Sequence, residues 1–305
     1  MENRIMTDHG FRQTTGRARM AARWLLGALL LVTALAGTAA HAEALLWRVE
    51  AKGVAPSYLF GTIHSDDPRV ATLPEPVAQA LGQSRVLYLE LDFAAPEIAL
   101  VPFSQVLPPG ESLKDLLSAE VYERVLAAMA ERGYPASTVD RLRPWAVVLE
   151  LAMPPMQTGD VLDLVLLEYA MALGIESRGL ETIGEQLGLF ANMPLDDQRA
   201  LLLLTLEEYA ETPEAFEAMI LAYAAGDLAE LQRQSDAAFA ELPADFAARF
   251  EAAIITDRNH RMAERAAPAI DRGGAFVAVG ALHLPGEEGL ITLLRARGYR
   301  LTPVY

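Results

Sequence analysis

Cysteine is absent from all 305 residues. That excludes disulfides, thiol nucleophiles and thiolate metal sites, and leaves histidine and carboxylate as the side chains able to hold a metal ion. Lysine is nearly absent: Lys52 and Lys114 are the two in the chain. Acids outnumber bases by 41 to 25, a net charge of −16. Such a chain does not bind nucleic acid through non-specific charge, because phosphate contacts need Lys and Arg. Histidine is scarce as well, with five residues at His9, His41, His64, His260 and His283.

What is present begins with a leader. Arg12, Arg17, Arg19 and Arg23 precede an apolar run from Trp24 to Ala36, and Ala40-His41-Ala42 follows. A charged start, an apolar stretch too short to span comfortably and a small-residue site predict a signal peptide over 1–42, cleaved after Ala42. Met20 would serve as an alternative start. The other reading is an uncleaved membrane tether; both predict an exported domain, periplasmic or secreted. Residues 43–305 remain, and in them 39 acids face 20 bases, so the net charge moves to about −19.

This body reads as one α/β domain. Leu45 to Glu50 and Tyr58 to Ile63 flank Lys52-Gly-Val-Ala-Pro-Ser and read as a hairpin. Pro76 to Gly82 is a short helix, and Val86 to Leu91 is a buried strand. Ser118 caps a helix that ends at Gly133, and Pro144 starts another. Met153 to Gly159 is a loop, with nothing assigned to Met153 or Met156, and Asp160 to Leu173 is a helix stopped by Gly174. Ile175 to Leu180 is a strand, and Thr182-x-x-Glu185 a capping box. Residues 194–272 read as helical, with Thr212 an N-cap before Pro213, Asp227 a cap, and Asp245 to Asp271 one long helix or a broken pair. The chain closes with strand Ala275–His283, helix Glu287–Arg297 and strand Tyr299–Val304. The expected fold is a mixed, largely parallel central sheet built from both chain ends, with helical insertions between.

Two of the histidines stand in the same setting. Tyr58-Leu-Phe-Gly-Thr-Ile-His64 and Phe276-Val-Ala-Val-Gly-Ala-Leu-His283 are apolar runs that end in Gly-x-x-His. A histidine at the carboxyl end of a parallel strand faces the crevice where open α/β sheets bind ligands. Two such ends side by side present two imidazoles to one metal ion. A carboxylate would complete the set. Glu90 and Asp92 share one face of their strand, and Glu181 closes another strand. An acid inside an apolar strand is costly unless it is paired or binds a cation. Ala252, Ile255, Asn259, Met262 and Ala266 fall on one helical stripe, so Asn259 needs a buried partner. Arg258 flanks that stripe within reach of a carboxylate, whereas His260 is directed toward Asp257 and Glu264 as solvated surface.

These segments resemble the TraB/GumN family, also called TraB/PrgY/GumN, which includes the animal Tiki proteins. The matching stretches are Leu59-Phe-Gly-Thr-Ile-His64, Tyr88-Leu-Glu-Leu-Asp92, Gly179-Leu-Glu-Thr182 with Glu185-Gln186, Asp257-Arg-Asn-His-Arg-Met262, and Val279-Gly-Ala-Leu-His-Leu-Pro-Gly286. The resemblance implies a fold akin to the erythromycin-esterase and ChaN-like proteins. Through the Tiki branch it also implies metal-dependent peptide hydrolysis, with manganese or cobalt.

Two functional expectations follow. The first is a metal-dependent hydrolase of a peptide or small acyl bond. His64, Glu90 and His283 would hold a divalent ion (manganese, cobalt or zinc), Glu181 would act as base, and Arg258 with Asn259 would complete the catalytic set. The parts played by Glu90 and Glu181 are interchangeable at this level. The second is a non-enzymatic binding protein for a peptide, haem or metal, or an accessory protein of envelope polysaccharide or pheromone systems.

Overall fold

The computed structural model describes residues 44–305; the expected leader lies outside the described residues. Six strands form one sheet: β1 (Leu46–Glu50), β2 (Ser57–Thr62), β3 (Val86–Leu91), β4 (Glu176–Glu181), β5 (Ala275–Gly280) and β6 (Arg300–Pro303), in the order β4-β3-β5-β2-β1-β6. β2, β5, β3 and β4 run parallel, and β1 is antiparallel to both β2 and β6. The sheet is therefore mixed and largely parallel, and both chain ends build it, as the sequence predicts. β2 and β5 are buried at every residue because helices cover both faces of a parallel sheet.

The helices longer than one turn are α1 (Glu75–Gly82), α2 (Ala119–Glu131), α3 (Pro144–Leu151), α4 (Leu162–Ala172), α5 (Ile183–Ala191), α6 (Leu195–Glu208), α7 (Thr212–Ala224), α8 (Leu228–Phe239), α9 (Ala244–Glu251), α10 (Asp257–Arg272) and α11 (Leu290–Ala296). Local chemistry sets many of their ends. The Ser118 hydroxyl accepts the Val121 N–H, Pro144 opens α3, and Thr182 with Glu185 forms the full reciprocal capping box of α5. The Asp227 carboxylate accepts the Glu230 N–H at the start of α8. Among the described residues no helix is long and apolar enough to cross a membrane.

Three local expectations need correction. Thr212 does not cap α7: it is already helical, and its hydroxyl donates back to the Glu208 carbonyl. A 3-10 turn over Tyr209–Glu211 carries α6 into α7, so no extended residue is left to act as a cap. β5 ends at Gly280, and His283 sits on a 3-10 turn, Ala281–His283, beyond the strand. α11 begins at Leu290 rather than Glu287.

The stretch expected as one long helix or a broken pair is a third form. α9 passes into α10 through a π turn, Ala252–Thr256, without leaving helical backbone. A π turn adds a residue to the coil; past the exposed Asp257, Arg258 and Asn259 are both buried.

Candidate functional site

The parallel register puts the two Gly-x-x-His ends side by side. Gly61 pairs with Val279 and Thr62 with Gly280 across β2 and β5, so His64 and His283 both follow the carboxyl edge of adjacent strands. Gly61 is required by close approach: a Cβ there would lie 2.8 Å from Leu284 Cδ1 and 2.9 Å from Ala281 Cα. That proximity lets the 3-10 turn carrying His283 fold back over β2. The Tyr223 hydroxyl fastens the same point by donating to the Gly61 carbonyl at 2.7 Å.

β3 supplies the acid. Its ladder with β5 runs from Val86–Ala275 to Tyr88–Val277, and Glu90 lies beyond the last of these pairs. Its side chain takes over there: Glu90 Oε1 accepts the Gly280 N–H at 2.7 Å. Glu90 Oε2 accepts from Arg258 Nη2 at 2.6 Å and from Gln186 Nε2 at 3.0 Å. Glu181 closes β4 one strand further out. Arg258 Nε reaches its Oε2 at 2.8 Å and Arg261 Nη1 its Oε1 at 2.8 Å, with Gln186 adding a third donor at 3.2 Å. Arg258 thus joins two buried carboxylates across the ends of β3 and β4. Asp92 does not join them; it accepts the Ala94 N–H and closes a turn.

Each histidine is gripped at Nδ1. His64 Nδ1 donates to Asp163 Oδ2 at 2.8 Å, and the other Asp163 oxygen accepts the Thr62 hydroxyl at 3.1 Å. His283 Nδ1 donates to Asn259 Oδ1 at 2.6 Å, while the Asn259 amide donates to the Glu288 carbonyl at 2.8 Å. In both rings Nε2 is the nitrogen left for a further partner. His283 Nε2 is fully buried without a hydrogen bond, 3.7 Å from Glu90 Oε1. His260 is exposed, as expected, but its partner is Glu288 rather than Asp257 or Glu264.

The environments fix the charges. Burial pushes the His64 imidazolium down, but the Asp163 carboxylate more than reverses this and lifts its pKa to about 9. Burial, reinforced by the Arg258 charge, lowers His283 to about 3, so its ring is neutral. Burial alone would raise the Glu90 carboxyl; Arg258 above all, with His283 and His64, holds it far below the usual carboxylate range.

Thr62, His64, Glu90, Gln186 and Arg258 form one polar end of a cavity of about 140 Å³ whose other walls are mostly apolar. Glu181, Asn259 and His283 stand behind that end rather than lining it. The loop before α4 borders it through Met153, and Asp66 pins that loop by accepting the N–H groups of Gln157, Thr158 and Gly159. Among the described residues no group of three or more His, Asp and Glu side chains stands ready to hold a metal ion.

Sequence reasoning missed two members of this cluster. Asp163 carried a signal: it is a lone charge in Val161-Leu-Asp-Leu-Val-Leu-Leu, and a buried charge needs a partner. Gln186 lay in one of the stretches that carry the family resemblance, beside the capping Glu185, but was assigned no part.

Comparison with known proteins bears on what this cluster does. The model of the TraB/PrgY/gumN family matches residues 45–303. Metalloprotease TIKI1 of Homo sapiens is 27% identical over 313 residues, covering 84% of this chain and 61% of that protein. Metalloprotease TIKI2 of Danio rerio is likewise 27% identical, covering 84% of this chain and 60% of that protein. The uncharacterized protein YbaP of Escherichia coli (strain K12) is 26% identical over 78% of this chain and 87% of its own length. The chain therefore spans about three-fifths of the length of the metalloproteases it matches. No solved structure matches it, so the expected kinship to erythromycin-esterase and ChaN-like folds has no counterpart here.

Proposed function

The chain belongs to the TraB/PrgY/gumN family, and on that footing we propose that it is an exported, metal-dependent hydrolase of peptide bonds. The observation that carries this reading is the pair of imidazoles on adjacent strand ends. Each is held at Nδ1 by a side-chain oxygen, and the buried Nε2 of His283 has no partner. Metal-binding histidines are oriented in this way, with the second nitrogen donating to a carboxylate or carbonyl oxygen.

His64, Glu90 and His283 would hold the ion, His64 giving up its Nε2 proton as the ion binds: two nitrogens and a carboxylate suit manganese, cobalt or zinc. A divalent ion there would polarise a substrate carbonyl and acidify water. The protein's own groups do the rest. Asp163 and Asn259 fix the two rings. Arg258, buried and facing the cavity, keeps a positive charge beside Glu90, where it steadies negative charge developing on the substrate oxygen. Glu181 has both oxygens taken by Arg258, Arg261 and Gln186 and does not line the cavity, so we assign it to anchoring Arg258 rather than to accepting a proton. Asn259 acts through His283. The apolar walls exclude water and strengthen every charge at the polar end. Export rests on the arginine-rich start and the apolar run of residues 1–42.

The deciding experiment is metal content and affinity of the full chain beside His64→Ala and His283→Ala. Each is purified without chelator and titrated with manganese, cobalt and zinc. About one ion per wild-type chain, lost in both folded variants, followed by cleavage in a peptide library, is the expected result. If wild type takes up none of the three ions, or the variants bind as well as wild type, the hydrolase reading falls. Peptide or haem binding without turnover would then make this a binding protein.

A further inference from the structure

The walls of the cavity come from elements that the polar end does not need. Leu189 of α5, Phe216 and Met219 of α7, Leu231 of α8, Ile254 of the π turn and Leu282 beside His283 face the same space. The charged side chains lining it, His64, Glu90 and Arg258, are all at the polar end. Leu189 and Phe216 are only half-buried although they face inward, so apolar surface is left for a ligand to cover. The cavity measures about 140 Å³, and an apolar space of that size holds a benzene-sized group, so it has room for one large apolar side chain.

A substrate carbonyl placed at the polar end, against Arg258 and the His64 ring, leaves the neighbouring side chain nowhere to go but this apolar space. A lysine or glutamate side chain would lose its hydration there with no counter-charge on the walls. We propose that the substrate is a peptide carrying a large apolar side chain next to the cleaved bond, and that Leu189, Phe216, Met219, Leu231, Ile254 and Leu282 select it. Cleavage of that bond rests on the hydrolase reading above; selection by the walls does not.

The test uses the full-length protein and one peptide frame in which each position in turn carries Ala, Leu, Phe, Lys or Glu. Binding is read by fluorescence anisotropy without added metal, and cleavage with manganese supplied. One methylene in such a pocket is worth about tenfold or more, so Leu and Phe at one position should bind at least about tenfold tighter than Ala. Lys and Glu there should gain nothing. Phe216→Trp, which fills the space, should erase the preference for Phe, and Leu189→Ala, which widens it, should move the preference from Leu toward Phe. Apolar-selective binding without cleavage would uphold the pocket and sink the hydrolase reading. Cleavage or binding that is indifferent to the side chain would overturn the pocket, as would folded variants with an unchanged profile. Absence of both binding and cleavage would remove both.

Discussion

The two Gly-x-x-His units share a motif, a parallel register and a grip on Nδ1, yet they are opposite in charge. His64 is 38% exposed on its side chain and rests against a carboxylate; His283 is wholly buried and rests against an amide. The first is lifted to about 9 and the second lowered to about 3. The motif delivers an imidazole to the carboxyl edge of the sheet. Its protonation is decided by what surrounds it: the Asp163 carboxylate, 99 positions away, holds the proton on His64, whereas burial and the Arg258 charge strip it from His283, whose partner Asn259, 24 positions away, brings no charge to oppose them. A charged and a neutral imidazole beside one carboxylate make the site asymmetric, although the sequence that supplies it is close to a repeat.

Removing the cation between the two halves should have the largest effect. Arg258→Ala leaves Glu90 and Glu181 buried together without their shared counter-charge, and a broken buried pair of this kind costs about 3–5 kcal/mol. Urea unfolding should register the loss, and Arg258→Met with Glu90→Gln and Glu181→Gln together should recover most of it. If Arg258→Ala alone unfolds at the wild-type midpoint, the ion cluster does not hold the strand ends.

Exchanging the two partners sharpens the contrast directly. Asp163→Asn should drop His64 from about 9 toward its ordinary value of 6.5, and Asn259→Asp should raise His283 from about 3. Imidazole proton shifts followed by NMR titration in chelator would read both. The sign carries into stability. His64 has a folded pKa above its unfolded one, so its contribution is full below 6.5 and lost as pH rises through about 9. Asp163→Asn should flatten that alkaline loss, and an unchanged alkaline limb would mean the carboxylate is not what holds the proton. On the proposed metal reading the same substitution weakens ion affinity by about 10–100-fold.

A smaller effect marks where the coupling stops. Thr182→Ala removes one half of the α5 cap and should cost about 1 kcal/mol. It should leave both histidine titrations in place. Glu185, the other half, is drawn down to about 2 chiefly by Arg265. Its folded pKa is the lower one, so its contribution is present above about 4.5 and disappears as pH falls toward 2. Replacing Arg265 with Met should shift that acid loss to higher pH, as thermal melts between pH 2 and 5 would reveal.

Much of the architecture was legible because it is local. Apolar runs bounded by turn residues gave five of the six strands closely, and side-chain caps at Ser118, Thr182 and Asp227 gave helix starts. Local reading failed where a neighbouring turn overrode it. Thr212-Pro213 has the composition of a cap, but the helix before it had not ended. His283 reads as the end of a strand, but the chain turns at Gly280 to bring it back over β2. The stripe through Asn259 was visible from spacing, whereas the π turn that buries Arg258 beside it has no signature in the residues.

By itself the sequence determined which groups are available: imidazole and carboxylate without thiol, two strand-end histidines, acids in or at the ends of apolar strands, and an Arg-Asn pair on a helix. These follow from composition and from periodicities that span a few residues. The tertiary structure alone decided how they combine: that Arg258 binds Glu90 and Glu181 together, that Glu181 is sealed off while Glu90 faces the cavity, and that Asp163 answers His64. Those choices depend on distances between residues far apart in the chain, and electrostatic energy inside a protein is set by such distances and by burial, neither of which is written in local sequence.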